Sequence, residues 1–586
     1  MRVRRFGSLT GVCLALVTST SCTTSGTERA PVGPPPEMCT PHAWSCSGNQ
    51  SRVCRDDGAG WEPVALCDLG AGELCEPRSG RCVNPCREAA EASSYMGCEY
   101  WPVTTQNSQV APEIEFGIAV ANTYGMDAHV TIERAGETIA TRTVATGGVE
   151  VVPLPWVMEL KGESVEAYSS RLVRGGAYRL RSDVPVVVYQ FNPLHYRIEQ
   201  DCENEVRLEE PLDDSQCFSW SNDASLLLPT HALSGSYSVL TWPTEVNRAA
   251  APGFASSYGG SPAFFAVVGV EEEPTTVTIR FRGHVEASDD DGASVRAFAP
   301  GETGTFTLGQ GDVLELMSEL PAVCLDGSYT DHLPEYDLTY CKLPREYDLT
   351  GTEISATGRV AVLAGHNCAF VPIHRWSCDH LEEQLFPLES WGKDVVVSVT
   401  RPLREEPNVV RVVSSRDGNI VTFDPPAVHE PVTLARGELV EFETVSHVKI
   451  TGTEALLVAQ FMVGQSYAGL GTAPRDQPGG DPSMAYAIPT EQQRVDYTFL
   501  TPDTYDESVV NVTAASGSEV LLDGTPIGEW TEVATTGLAV ARTNVPSGAH
   551  RIRSALPFGL VVYGFGSYTS YMYPGGLDLR RITAPF

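Results

Sequence analysis

The chain has 586 residues, 42% of them hydrophobic, and a formal net charge of -35. That length is too great for one hydrophobic core, so several units are expected, and the 53 Gly and 41 Pro suit a turn-rich all-β chain better than a helical one. So acidic a surface repels nucleic-acid phosphates and anionic lipid headgroups, which argues against nucleic acid as a partner and leaves any membrane contact to a lipid anchor.

Residues 1–22 carry Arg2, Arg4 and Arg5, an apolar segment from Leu9 to Val17, and small residues ending in Cys22. This is the pattern of a secretory signal, too short to span a bilayer as a mature helix. Ser19 to Cys22 resembles the lipobox of bacterial lipoproteins, in which the cysteine is acylated, although Ser19 stands where that motif usually has Leu. Cys22 is therefore the expected lipidation site. Residues 23–38, rich in Thr, Gly and Pro, read as a flexible tether. Loss of the signal would take the net charge from -35 to -38, because the three arginines leave and no acid precedes Cys22.

Export bears on the cysteines, since disulfides persist outside the cytoplasm. Without Cys13 and Cys22, fourteen of the sixteen remain, an even number. Eight of these (Cys39, Cys46, Cys54, Cys67, Cys75, Cys82, Cys86 and Cys98) crowd residues 39–98, a small disulfide-rich module with strands expected at Ser51–Cys54 and Trp61–Leu66. Its connectivity is open among 105 pairings. The other six form close couples and are disulfide candidates: Cys202 with Cys217, Cys324 with Cys341, and Cys368 with Cys378.

From about Tyr100 the chain becomes short β-branched and aromatic runs broken by Gly, Pro, Asp and Asn. Four strongly apolar strands recur, at 185–193, 358–367, 454–465 and 557–568, each preceded by a weaker strand pair at 128–137, 275–283, 419–426 and 518–527. In the later units a further run follows the pair, at 311–318, 437–445 and 547–554, and linking phrases with a central Pro recur at 224–240, 382–399 and 483–500. The pattern predicts tandem antiparallel β-sandwich-like repeats, with a β-propeller-like arrangement as the alternative. Residues 99–216 form the first β unit in this reading and 217–586 the remaining repeats. Two insertions lengthen the second unit. One, 284–294, holds Asp289, Asp290 and Asp291 and reads as a solvated turn rather than a calcium loop, since the EF-hand spacing is absent. The other, from Cys324 to Gly351, reads as a stapled surface loop that exposes tyrosines and acids.

The densest chemistry lies in residues 366–383, which hold His366, Cys368, His374, Cys378, Asp379, His380, Glu382 and Glu383. Cys and His are the ligands zinc prefers and five are present, whereas a Cys368–Cys378 bridge would pin a loop and leave the rest solvated. Export favours the bridge, and neither a metal nor another cofactor is expected. G-x-S-x-G, H-E-x-x-H and P-loop motifs are absent from the sequence, so no catalytic residues are assigned. The enzyme alternative is a carbohydrate-active hydrolase using Asp379 with Glu382 or Glu383, aided by His380, the acids sharing one face of a short helical turn. A metal site from His366, His374 and His380 is the other alternative.

The phrases at 217–243, 378–397, 456–464, 480–502 and 557–576 together resemble the IgGFc-binding protein N-terminal domain family, in which Cys217, Cys368, Cys378, Trp391, Gly392 and Pro489 look like pattern positions. The resemblance implies a binding or adhesive module without known catalytic residues, as found in exported lipoproteins with Cys-rich stretches. It does not imply that this chain binds antibody. The expectation is an exported, lipid-anchored protein of the outer membrane or cell surface whose repeat loops meet an extracellular protein or glycan.

Overall fold

The computed structural model describes residues 38–162, 168–196, 219, 221–250, 257–289, 294–322, 324, 328–332, 337–469 and 479–585. The proposed signal, Cys22, nearly all of the tether, the Cys202–Cys217 couple and Asp290 to Asp291 lie outside these residues. The described chain is nearly all β, in curled antiparallel sheets. Among the described residues no helix is long and apolar enough to cross a membrane.

Residues 39–98 hold a three-stranded sheet, Trp44–Ser47, Gln50–Cys54 and Trp61–Leu66, and a two-stranded ladder of Leu74–Glu76 with Arg81–Val83. With so little to bury, covalent links hold it: Cys39–Cys54, Cys46–Cys75, Cys67–Cys82 and Cys86–Cys98.

The rest of the chain repeats one plan four times. Each unit is built on a long spine strand: Tyr178–Asn192, Glu353–Phe370, Val448–Phe461 and Gly548–Gly566. The first half of every spine pairs with an entry strand on one side and a strand from the weak pair on the other. In the second unit these are Ser234–Ser238 and Thr275–Arg280. The second half pairs with a buried strand, here Ala263–Gly269, and with an inner strand that follows the spine, here Cys378–Gln384. The corresponding inner strands are Asp223–Leu227, Met484–Tyr486 and Thr569–Pro574.

All four entry strands slip register at the same point, between Gly97 and Glu99, Ser234 and Ser236, Gly392 and Asp394, and Arg494 and Asp496. Three units fix that slip with one tyrosine. Tyr237 Oη accepts from Ser234 N at 3.2 Å and donates to the spine carbonyl of Val360 at 2.8 Å. Tyr100 does the same between Gly97 N (2.8 Å) and Val186 O (2.6 Å), and Tyr497 between Arg494 N (2.8 Å) and Phe558 O. In the third unit Val395 stands at this place.

The slip explains two departures from the sequence reading. Pro185, Gly358 and Pro557 mark strand starts in the sequence, yet each lies inside a spine, near the slip, where an unpaired or side-chain-free position is tolerated. The run 547–554 is accordingly the first half of the fourth spine, and the true counterpart of 311–318 and 437–445 is Leu538–Val545. An addition is the four-stranded sheet of Glu245–Ala250, Ser257–Ser261, Ser328–His332 and Asp337–Cys341, inserted in the second unit and stapled by Cys324–Cys341.

The linking phrases share a device as well. After Pro229, Pro387 and Pro489 the chain makes a single 3-10 turn, closed onto the proline carbonyl by Ala232 N (2.8 Å), Ser390 N (2.9 Å) and Gln492 N (2.9 Å). The units close a ring. Arg171–Val173 joins the sheet of the second unit, Arg411 of the third pairs with Asp348 of the second, and Asn511 of the fourth donates to Ser398 O and Val399 O of the third, both at 2.9 Å. Tyr189 of the first unit donates to Thr498 O (2.9 Å) and Gly575 O (3.1 Å) of the fourth. The main apolar core runs without interruption through all four units.

Candidate binding site

Three of the four inner strands press against one another near the centre of the ring, with the short third strand beside them, and here the predicted chemistry ends up. Cys378–Gln384 is a strand, not the helical turn expected from the spacing of its acids, so Asp379 and Glu382 project to opposite faces. Asp379, His380, Glu382 and Glu383 are each 0% exposed. All but one of their oxygens are spoken for, Glu383 Oε2 having no partner among the described residues. Asp379 Oδ1 accepts from Asn222 N and from His380 N at 2.9 Å, and Oδ2 from Ser570 N at 3.3 Å. Glu382 accepts from Gln190 Nε2 (2.5 Å), Asn192 Nδ2 (3.1 Å) and Thr105 Oγ1. Glu383 Oε1 accepts from Ser225 Oγ (2.9 Å) and Leu226 N (3.1 Å).

The most connected of these acids, Asp223, escaped the sequence reading. Its Oδ1 accepts from Ala224 N (2.9 Å) and Met572 N (3.3 Å), and its Oδ2 from Glu382 N (3.1 Å) and Met484 N (3.1 Å). One carboxylate therefore caps backbone donors from the inner strands of all four units. Burial pushes Asp223, Asp379 and Glu383 well above the usual carboxylate range, with the N–H donors pulling the other way; for Asp379 the nearby Asp481 adds to the rise. Glu315 beside them, accepting from Gln106 N at 2.9 Å, is raised by burial to about 8. The signal that could have revealed Asp223 is its place at the head of the apolar run ASLLL: a carboxylate entering a buried strand must find donors.

The three histidines do not gather. His366 is buried in the second spine, its Nδ1 accepting from Cys368 N at 3.2 Å, and burial drives it down to about 3. His380 stacks on Phe264 at 5.8 Å, whereas His374 sits beyond the spine at the rim of a cleft. Among the described residues no three Cys, His, Asp or Glu side chains are grouped to hold a metal ion. Cys368 and Cys378 are disulfide-bonded to each other, and Cys82 and Cys86 belong to different bridges.

That cleft, about 860 Å³, lies between the inserted sheet of the second unit and the sheet of the third and is open to solvent. Its floor is Trp242 and the buried Arg411, whose guanidinium lies 5.5 Å from the indole centre. Arg411 pairs with Asp348 and, through Nε, with Glu441 Oε2 at 3.0 Å; Arg345 Nη1 reaches the same Asp348 at 2.5 Å. The two guanidiniums hold Asp348 below the usual carboxylate range against the cost of its burial. Tyr329, 45% exposed, forms the outer wall with His374, their rings 5.3 Å apart.

Disulfides and repeated curled sheets thus define an all-β protein of the kind that persists in oxidising compartments. The family described as IgGFc binding protein matches residues 223–564, and the chain belongs to that family. It is similar to the human IgGFc-binding protein, with 33% identity over 102 residues, 17% of this chain and 2% of that much longer protein. Among solved structures, a tetra-tandem repeat from the extending region of a large adhesion protein aligns at 11% identity over 82% of this chain and 99% of that one, with a TM-score of 0.08. Two B repeats of the Staphylococcus aureus collagen-binding protein align at 10% identity over 81% and 98%, with a TM-score of 0.09. Scores that low carry no argument about the fold.

Proposed function

We propose that the protein is an exported binding or adhesion protein, anchored by lipid on Cys22 at the outer membrane or cell surface, that presents its β units to an extracellular partner. In this reading residues 1–22 are the signal, 23–38 the tether, 39–98 a disulfide-held spacer, and 99–216 and 217–586 the binding body. Neither nucleic acid nor any cofactor takes part. Membership of the IgGFc-binding family supports an extracellular protein as partner, and a glycan is the alternative.

The observation that carries the proposal is where the acids lie. The carboxylates that could have served a hydrolase, Asp379, Glu382 and Glu383, are sealed between the units and bonded to strand donors, where they hold the ring together. What faces outward includes an aromatic cleft, the arrangement of a binder. The test is capture. The purified protein, immobilised through its N-terminus, should retain components of extracellular protein or polysaccharide fractions and hydrolyse none of them. Hydrolysis abolished by Asp379→Asn in a folded variant would overturn the proposal. Labelling with radioactive palmitate that survives in Cys22→Ser would overturn the anchor.

A further inference from the structure

We infer that the cleft between the second and third units binds a neutral oligosaccharide, an inference that rests on the binding function proposed above and names its ligand class. Three features of the cleft point to such a ligand. The first is the wall. Tyr329 offers a half-exposed ring at the mouth, backed by His374 and by Tyr340, whose ring centre is 6.5 Å from that of Tyr329. A flat apolar ring face suits the C–H face of a pyranose.

The second is the charge. Arg345, Asp348, Arg411 and Glu441 form a linear chain of ion pairs, two cations with two anions, so the charges of the floor balance. An ionic ligand on this floor would have to break one of these pairs, although Lys342, Arg375 and Glu443 also line the cleft. A neutral polyol need not: the Arg345 side chain, 47% exposed, still has N–H groups to donate, and Glu441, 44% exposed, still has lone pairs to accept hydroxyls.

The third is an unmet demand. Thr244 lines the cleft and is 1% exposed, yet its Oγ1 has no hydrogen-bond partner among the described residues. A buried hydroxyl without a partner is costly, and because this oxygen is covered, a ligand hydroxyl satisfies it only where binding uncovers it. The volume, about 860 Å³, lies within the range of small-ligand sites and leaves room for more than one sugar ring.

The experiment is binding of the full chain to an array of neutral hexose oligosaccharides, the same sugars bearing sulfate or carboxylate, and basic and acidic peptides. Affinities for each class that binds are then measured by calorimetry. Neutral sugars should bind, and Tyr329→Ala and Glu441→Gln should each weaken them about tenfold or more. Both variants are at exposed side chains, and an unchanged thermal midpoint establishes that they fold. Binding confined to peptides or to charged sugars, or neutral-sugar binding indifferent to both substitutions, would overturn the inference. Capture of extracellular components that persists in Tyr329→Ala would leave the broader function standing while removing this site from it.

Discussion

Asp223→Asn is the substitution that most directly tests how the four units are held. Each oxygen of Asp223 accepts two backbone N–H groups, Ala224 and Met572 on Oδ1, Glu382 and Met484 on Oδ2. An asparagine keeps one acceptor. Whichever oxygen becomes the amide nitrogen, two buried N–H donors then face another donor. Each buried group left unpaired costs about 1–3 kcal/mol, so the substitution should destabilise the protein by about 2–6 kcal/mol. The assay is urea unfolding followed by far-ultraviolet dichroism and by the fluorescence of the buried Trp242 and Trp391. Hydrogen exchange adds a spatial readout: inner-strand amides at 379–384, 484–486 and 569–574, from three different units, should all exchange faster. As a control, Asp56→Asn changes a side chain that is 94% exposed and should shift stability by less than about 0.5 kcal/mol. An unchanged urea midpoint, or faster exchange confined to 223–227, would refute the idea that this carboxylate ties the units together.

Two further outcomes follow from the same geometry. Tyr237→Phe removes a hydroxyl that accepts from Ser234 N and donates to Val360 O, and should cost about 1–3 kcal/mol; Val395, at the same place in the third unit, offers no such bonds, so Val395→Tyr would not restore the loss. Thermal melts of both variants check this. The buried acids also set a pH dependence. Glu315 has its folded value raised to about 8, so the folded state holds a proton that the unfolded chain loses above its ordinary value near 4.5. The stability it contributes is full below that ordinary value and declines as pH rises toward about 8, with Asp379 and Glu383 pulling in the same direction. The unfolding midpoint should therefore fall between mildly acidic and mildly alkaline pH, and Glu315→Gln should flatten that slope by about 1 kcal/mol per pH unit. A midpoint that rises across the window would contradict the assignment.

Much of the fold is legible in the residues because burial on both faces leaves a plain signature. The runs around Val186–Tyr189, Val360–Ala364, Leu456–Phe461 and Leu560–Phe565 are apolar without alternation, and each is the doubly covered half of a spine. The other halves alternate, as in HRIRS, because one of their faces meets water; alternation alone does not distinguish them from an ordinary edge strand, and Pro557 between the halves reads as a boundary. Only the register slip shows that the strand continues through it. The linking phrases were visible for a similar reason, since a proline that opens a 3-10 turn must stand at a fixed place.

The candidate sites were less legible, and the reason is physical. In the chain, Asp379, His380, Glu382 and Glu383 crowd together as an active site would. Such a cluster means catalysis only if solvent reaches it, and solvent access is decided by three strands distant in sequence, at 223–227, 484–486 and 569–574. Asp223, separated from Glu382, Met484 and Met572 by more than 150 residues each, carries no local sign of its partners. The cleft has the opposite character. Its Tyr329 and Cys341 belong to an insertion, its Arg411 and Glu441 to the next unit, and each residue alone looks like an ordinary surface or core position. A binding surface of this kind arises where two repeats meet. The repeat pattern therefore foretells that seams exist, while the insertion in one unit decides which seam opens into a cleft.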